Sequence, residues 1–287
     1  MKQNLSLFDI LNALLLTLFT ASVLIPFLNI IAISLSSRTP ILRGDVGLWP
    51  VGWTLDSYGF IAKNQMIVSG YRNTIIIVIV GTVLSLVMTV LTAFPLSRAV
   101  LWGKTPLTVF LAITMWFSGG MIPSFLVVRS IGLYDTLWAL IIPGCLSAYN
   151  VFIVRNFFAD IPDSLEDAAQ IDGCGDLRML FTIFLPLSTP VLATIALWAA
   201  VGYWNNYLSG ILYIRTSAKY PLQVVLRSIV LSGTDLVRDL TVEDETNVLE
   251  LSLKYAAIIF TTLPILCVYP FLQRYFVKGI MVGSIKG

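Results

Sequence analysis

Six stretches of this chain carry no Asp, Glu, Lys or Arg: residues 10–37, 73–97, 105–128, 136–154, 179–214 and 255–273. Each holds at least 19 residues, and an α-helix rising about 1.5 Å per residue needs about 20 to cross the hydrocarbon core of a bilayer. A soluble domain covers itself with charge, roughly a quarter of its residues; here the charged share is 12% against 57% hydrophobic. Backbone groups in lipid must find partners within their own segment, so these runs predict helices. The expectation is an all-α membrane protein with one domain over 1–287 and six transmembrane helices at about 11–33, 73–97, 106–128, 136–154, 189–212 and 255–273. The 179–214 run is too long for one crossing and predicts a surface helix ahead of the fifth span. Pro26, Pro95, Pro123, Pro143 and Pro264 fall inside spans and predict kinks.

Several function classes drop out on composition. The chain has no histidine, and its three cysteines, Cys145, Cys174 and Cys267, are odd in number and far apart. That argues against a disulfide framework, a His/Cys zinc site and His-dependent acid–base chemistry. No paired aspartates or Ser–His pair sit at helix depth, against an intramembrane enzyme. An ion-coupled secondary transporter or channel is the alternative function, but such carriers place ionisable groups within their spans. The uncharged runs leave none there. No basic block points to nucleic acid. The first run is too long for the core of a signal peptide and reads as a retained helix. Charge in the short connections favours both termini inside: two cations in 98–105 against one in 129–135, with three more in the tail.

The longest informative polar segment is 155–188. Pro162 suits the first turn of a helix, and Ser164 with Asp167 three residues on suggests a capping box. Leu165, Ala168, Ala169 and Asp172 would share one face, small enough at the alanines for another protein's backbone to approach. Gly173 and Gly175 would end that helix in left-handed conformations. A second short helix would present Leu177, Leu180, Phe181 and Phe184 on one face and stop at Leu185-Pro186. The product would be a helix–turn–helix knob at the membrane surface. An ordinary amphipathic loop is the plainer reading of the same residues.

Spacing separates the two. Asp167-Ala168-Ala169, three residues, Gly173, nine residues and Ile183-Phe184-Leu185-Pro186 resemble the EAA loop of ABC-importer permeases. Asp167 stands where that motif usually has Glu, with Glu166 before it. Further likeness lies in Ser118-Gly119-Gly120-Met121-Ile122-Pro123, Tyr203-Trp204-Asn205-Asn206-Tyr207, Tyr220-Pro221-Leu222-Gln223, Leu226-Arg227 and the ending YPFLQRYFVKGIMVGSIKG. The chain resembles the MalG-type permeases of carbohydrate ABC importers, LplC/YtcP-like, within the binding-protein-dependent transport system inner membrane component family. The resemblance implies the type I importer permease fold, with the EAA-like loop as a cytoplasmic coupling loop. It also implies a bacterial cytoplasmic-membrane protein with both termini cytoplasmic, moving a sugar, an oligosaccharide, by alternating access. Its implied partners are a second permease subunit in a heterodimer, two ATP-binding subunits that carry ATP and Mg, and an extracellular solute-binding protein. No cofactor is implied on this chain, which would not be an enzyme.

On that resemblance the ATPase-coupling residues are Glu166, Asp167, Ala168, Ala169, Gly173, Ile183, Leu185 and Pro186. The translocation pathway or gate is Tyr203, Trp204, Asn205, Asn206 and Tyr207. In the fifth span Trp198, Gly202, Asn206 and Gly210 recur every four residues. Amides and aromatic rings suit sugar, yet small residues and Asn equally serve helix packing, and packing with gating is preferred. Trp49, Trp53, Tyr58 and Phe60 read as interfacial belt or loop packing ahead of contact with sugar or a binding protein. Trp102-Gly103-Lys104-Thr105 lacks the first glycine of a phosphate loop, Arg98 standing there, and reads as a turn. Gly279 and Gly283 lie beyond the last span, which argues against helix pairing through them. The acidic stretch from Asp235 to Glu250 reads as a solvated face ahead of a docking site.

Overall fold

The computed structural model describes residues 7–98, 101–232 and 251–267. Among these the chain is helical, with an isolated Ser36–Trp53 bridge as its β contact. The helices are α1 (Leu7–Ser34), α2 (Arg38–Arg43), α3 (Asp56–Lys63), α4 (Gln65–Ser97), α5 (Lys104–Trp116), α6 (Met121–Ser130), α7 (Trp138–Ile141) and α8 (Ala148–Ala159). Then come α9 (Asp163–Ile171), α10 (Asp176–Met179), a π turn (Leu180–Phe184), α11 (Leu185–Leu187), α12 (Thr189–Trp204), α13 (Leu208–Tyr213), α14 (Leu222–Ser232) and α15 (Leu251–Cys267).

By length and composition, α1 and α4 can each cross a membrane; counting each bent pair as one span brings the number to five. The segments expected at 106–128, 136–154 and 189–212 are not single rods. α5 and α6 meet at 117°, α7 with its 3-10 extension (Ile142–Gly144) meets α8 at 50°, and α12 stops at Trp204 ahead of α13. The 83° bend between the Asp176–Leu187 stretch and α12 falls before residue 189, where the sequence predicts a surface helix ahead of the fifth span. Proline does not place all of these breaks. Pro26 and Pro95 lie inside unbroken helices. The α5–α6 break falls at Gly120, whose φ of 86° with ψ of 171° lies in a region open essentially to glycine alone. Ser118 Oγ accepts the Gly120 N–H at 3.2 Å and the Ser124 hydroxyl donates to the Gly120 carbonyl at 2.8 Å, satisfying the opened backbone.

The described chain divides into two compact units. The first takes residues 7–68 and the described part of 225–264. In it, the turn after α1 is closed by Ser36, whose hydroxyl donates to the Ala32 carbonyl at 2.6 Å and accepts the Val51 N–H at 3.0 Å. Ser57 of α3 and Ser252 of α15 share a buried hydrogen bond of 2.6 Å. Tyr58 bonds Ser34 at 2.8 Å, while Trp49, Trp53 and Phe60 are exposed.

The second unit, 69–224 with 265–267, carries the sites expected from sequence. α4 is its axis. Near the start of α4, Asn73 Nδ2 donates to the carbonyls of Ala218 (2.9 Å) and Tyr220 (3.1 Å), and the Thr74 hydroxyl accepts the Leu222 N–H at 2.8 Å. At the other end, about 37 Å away for 25 helical residues, the last carbonyls are capped by cations. Arg155 Nε donates to Leu96 at 3.1 Å, and Lys104 Nζ to Arg98 at 2.9 Å and Ser97 at 3.5 Å. This spends the Lys104 amine and, with Gly103 left-handed at φ 79°, makes the 102–105 sequence a turn into α5.

Candidate functional site

The knob at 155–188 is built on a core of three phenylalanines. Phe94 of α4, Phe158 of α8 and Phe184 of the π turn meet edge to face, with centroids 6.3, 5.0 and 5.5 Å apart. Such pairs add about 0.5–1.5 kcal/mol each beyond the area they bury. Ala169, Met179, Leu180 and Phe184 are buried with them, and Ile183 and Leu185 pack against the cluster. Of the eight expected coupling residues, the fold thus gathers Ala169, Ile183 and Leu185 in one core. Asp167, Ala168, Gly173 and Pro186 lie on its exposed surface. Glu166 is half-buried and paired with Arg98.

Details of the knob differ from expectation. α9 starts at Asp163 with Pro162 as its N-cap, so Ser164 is inside the helix and makes no cap. Gly173 is left-handed at φ 70°, with its N–H donating to the Gln170 carbonyl at 3.0 Å; Gly175 is extended at φ −74° and begins α10. The expected face of Leu177, Leu180, Phe181 and Phe184 splits in two. Leu180 and Phe184 are buried, whereas Leu177 and Phe181 point outward, because the π turn has more residues per turn than an α-helix and swings residues three apart onto different faces. Together with Ile171 these leave an apolar surface: Ile171, Leu177 and Phe181 are 86%, 67% and 63% exposed.

The second candidate region lies around α12. That helix ends at Trp204, and Asn205 to Tyr207 break it before α13. The four-residue stripe therefore does not run through. Trp198, Gly202 and Asn206 line a cleft of about 300 Å³ with Ser85, Asn150 and Ser209, whereas Gly210 is packed against Pro221 and Val224. Tyr149 and Trp198 stack near it, centroids 6.1 Å apart. Tyr203 is buried and donates to the Ile141 carbonyl at 3.0 Å; Trp204 is buried edge-on to Tyr71 at 6.2 Å. Asn205 is exposed, and its Nδ2 donates to the Val201 carbonyl at 3.0 Å. Tyr207 is half-buried.

Sequence reasoning missed two anchors. One is Arg98, noted from sequence as a charge in a short connection and as the residue standing where a phosphate loop would need glycine. The other is Asp135, whose φ of 58° is the one positive value at a non-glycine among the described residues. Its Oδ1 accepts the N–H groups of Arg215 and Thr216, both at 3.0 Å. Its Oδ2 takes the Thr216 hydroxyl at 2.7 Å and Lys219 Nζ at 3.1 Å. These bonds, the Thr216 N–H foremost, hold the carboxyl well below the usual carboxylate range. The clue was a lone acidic residue beside a glycine turn, a type that tolerates left-handed backbone.

Among the described residues no group of three or more His, Cys, Asp or Glu side chains is placed to hold a metal. Residues 235–250, 279 and 283, read above for charge and pairing, lie outside the described residues.

Comparison with known proteins agrees with this architecture. The chain is 43% identical over 282 residues to the polygalacturonan/rhamnogalacturonan transport system permease protein YtcP of Bacillus subtilis (strain 168), covering 98% of this chain and 99% of the relative. It is 42% identical over 281 residues to protein LplC of the same organism, covering 98% and 95%. A crystal structure of a bacterial ABC transporter involved in the import of the acidic polysaccharide alginate contains a chain that matches at TM-score 0.86 and 35% identity, over 94% of this chain and 96% of that one. Residues 5–282 match the family described as the binding-protein-dependent transport system inner membrane component, and the chain belongs to that family.

Proposed function

We propose that this chain is one permease subunit of an ATP-binding-cassette importer for sugar, an oligosaccharide containing uronic acid. The relatives named for polygalacturonan, rhamnogalacturonan and alginate transport support that class of cargo. Six crossings, made of α1, α4, α5–α6, α7–α8, α12–α13 and α15, form one permease domain over 1–287. A second, different permease subunit completes the pathway. The 155–188 knob faces the cytoplasm, as do both termini, and seats one of two ATP-binding subunits, which bind ATP and Mg and perform all the hydrolysis. The solute-binding protein docks at the opposite, outer end. Asn205, Asn206 and Tyr207, where α12 breaks, act with Tyr203 and Trp204 as the gate.

One observation carries the coupling role. The knob's core is complete within this chain, yet it leaves Ile171, Leu177 and Phe181 uncovered, and an exposed apolar patch on an ordered element marks an interaction surface. Motion applied there reaches α12 through the Asp176–Leu187 stretch and α8 through the phenylalanine core. Rigid-body displacement of packed elements is the usual currency of such transitions.

The test is reconstitution in vesicles with the co-purified permease, ATPase and binding protein. Uptake of oligogalacturonate that requires ATP and the ATPase subunits is expected. Uptake by this chain alone, driven by an ion gradient, would overturn the reading.

A further inference from the structure

Adjacent carboxylates on α9 face different ways. Asp167 is exposed, while Glu166 turns inward to pair with Arg98, the residue after the last turn of α4. The Glu166 and Arg98 side chains are 25% and 14% exposed. The Arg98 guanidinium lies over the rings of Phe94 and Phe184, 5.4 and 5.2 Å from their centroids, with Nη2 3.5 Å from Met179 Sδ. Gln170 Nε2 donates to the same Glu166 oxygen at 3.2 Å. A single cation thus touches α4, α9, α10 and the π turn.

Arg98 is not needed to cap α4, because Arg155 and Lys104 already occupy its last carbonyls. The knob's core is itself apolar, and the guanidinium packs on its edge against Phe94, Phe184 and Met179. The pair forms the shared wall of two clefts of about 340 and 450 Å³, both lined by Arg98 and Glu166. It therefore stands as a post between α9 and the end of α4. A guanidinium held between rings is desolvated and depends on its carboxylate; removing one partner leaves the other uncompensated.

We infer that Arg98 and Glu166 form a positioning strut that delivers displacement of α9 to α4, leaving Asp167 as the carboxylate offered to the partner ATPase. The inference rests on the coupling role proposed above for the 155–188 knob. α4 extends from this strut to Asn73 and Thr74, which hold the 218–222 backbone, so a push at one end of the unit has a rigid route to the other.

The experiment uses the complete importer in proteoliposomes, reading ATPase-subunit retention, ATP hydrolysis and uptake per ATP. Glu166→Gln and Arg98→Gln should keep the ATPase subunits bound while uptake per ATP falls about tenfold. The double variant should be no worse than either single, since both remove one strut. Should the Glu166→Gln chain fail to fold and insert in the membrane, Glu166→Asp keeps the charge with a shorter reach and should show the same uncoupling. Asp167→Asn should instead lower ATPase retention. Wild-type coupling in Glu166→Gln, loss of ATPase subunits equal to that in Asp167→Asn, or independent, additive losses in the double variant would each overturn the strut. The underlying reading fails separately: it does so if a bulky residue at Gly173 also leaves uptake per ATP unchanged.

Discussion

The ring of Tyr203 occupies the space beside Gly81 so closely that a Cβ there would lie 2.7 Å from its Cε2 and Cζ atoms. The same tyrosine donates to the Ile141 carbonyl at 3.0 Å, in the turn where α7 passes into its 3-10 extension. One side chain therefore locks α4, α7 and α12 together just before the break at Asn205. Gly81→Ala must displace the ring or the helix, and overpacking of this kind costs about 1–3 kcal/mol. Thermal unfolding in detergent should show it. An unchanged transition would contradict the close approach of α4 and α12.

Asp135 clamps its own turn to the 213–219 segment through Arg215, Thr216 and Lys219. Asp135→Asn keeps one acceptor but cannot take both the Thr216 hydroxyl and the Lys219 amine, and should cost about 1–2 kcal/mol. The folded carboxyl titrates below its ordinary range, so its contribution is fully present above the unfolded value of about 3.9 and is lost as pH falls through the depressed one. The stability difference between wild type and Asp135→Asn should thus stay constant from pH 7 to about 4 and shrink only below that. A difference that disappears near pH 6 would exclude this clamp as its origin.

Gly173 sits at φ 70°, and a Cβ added there would meet open space, with nothing within 4 Å. Substitution therefore meets backbone strain and not a clash, about 1–2 kcal/mol for an L residue and less for Asn. Uptake in reconstituted vesicles should fall in the order Gly, Asn, Val at position 173, with Gly173→Val inserted but unable to transport. Equal uptake by all three would remove the turn from the coupling argument.

Membrane character and the position of the knob were legible because both depend on residue type: charge-free runs and a spaced Ala, Gly and Pro pattern. The breaks were not. Gly120 and Asn205 interrupt apolar runs that hydropathy alone treats as continuous, and only backbone geometry shows where each helix stops. The face of the second knob helix was misread because a π turn changes the pitch, which a period of 3.6 residues cannot express. Arg98 and Asp135 escaped for a shared reason. Their partners, Glu166 and Thr216, lie 68 and 81 positions away, so no local pattern announces them.

The central claim is that the exposed apolar surface of the knob lies in the cytoplasm beneath an ATPase subunit. Ile171→Cys, placed in a chain with Cys145, Cys174 and Cys267 replaced, tests it through labelling by a membrane-impermeant maleimide. The account predicts labelling in inside-out vesicles stripped of ATPase, protection when the ATPase subunits are added back, and none in intact cells. Labelling from outside intact cells, or labelling that the ATPase subunits leave unchanged, would contradict it.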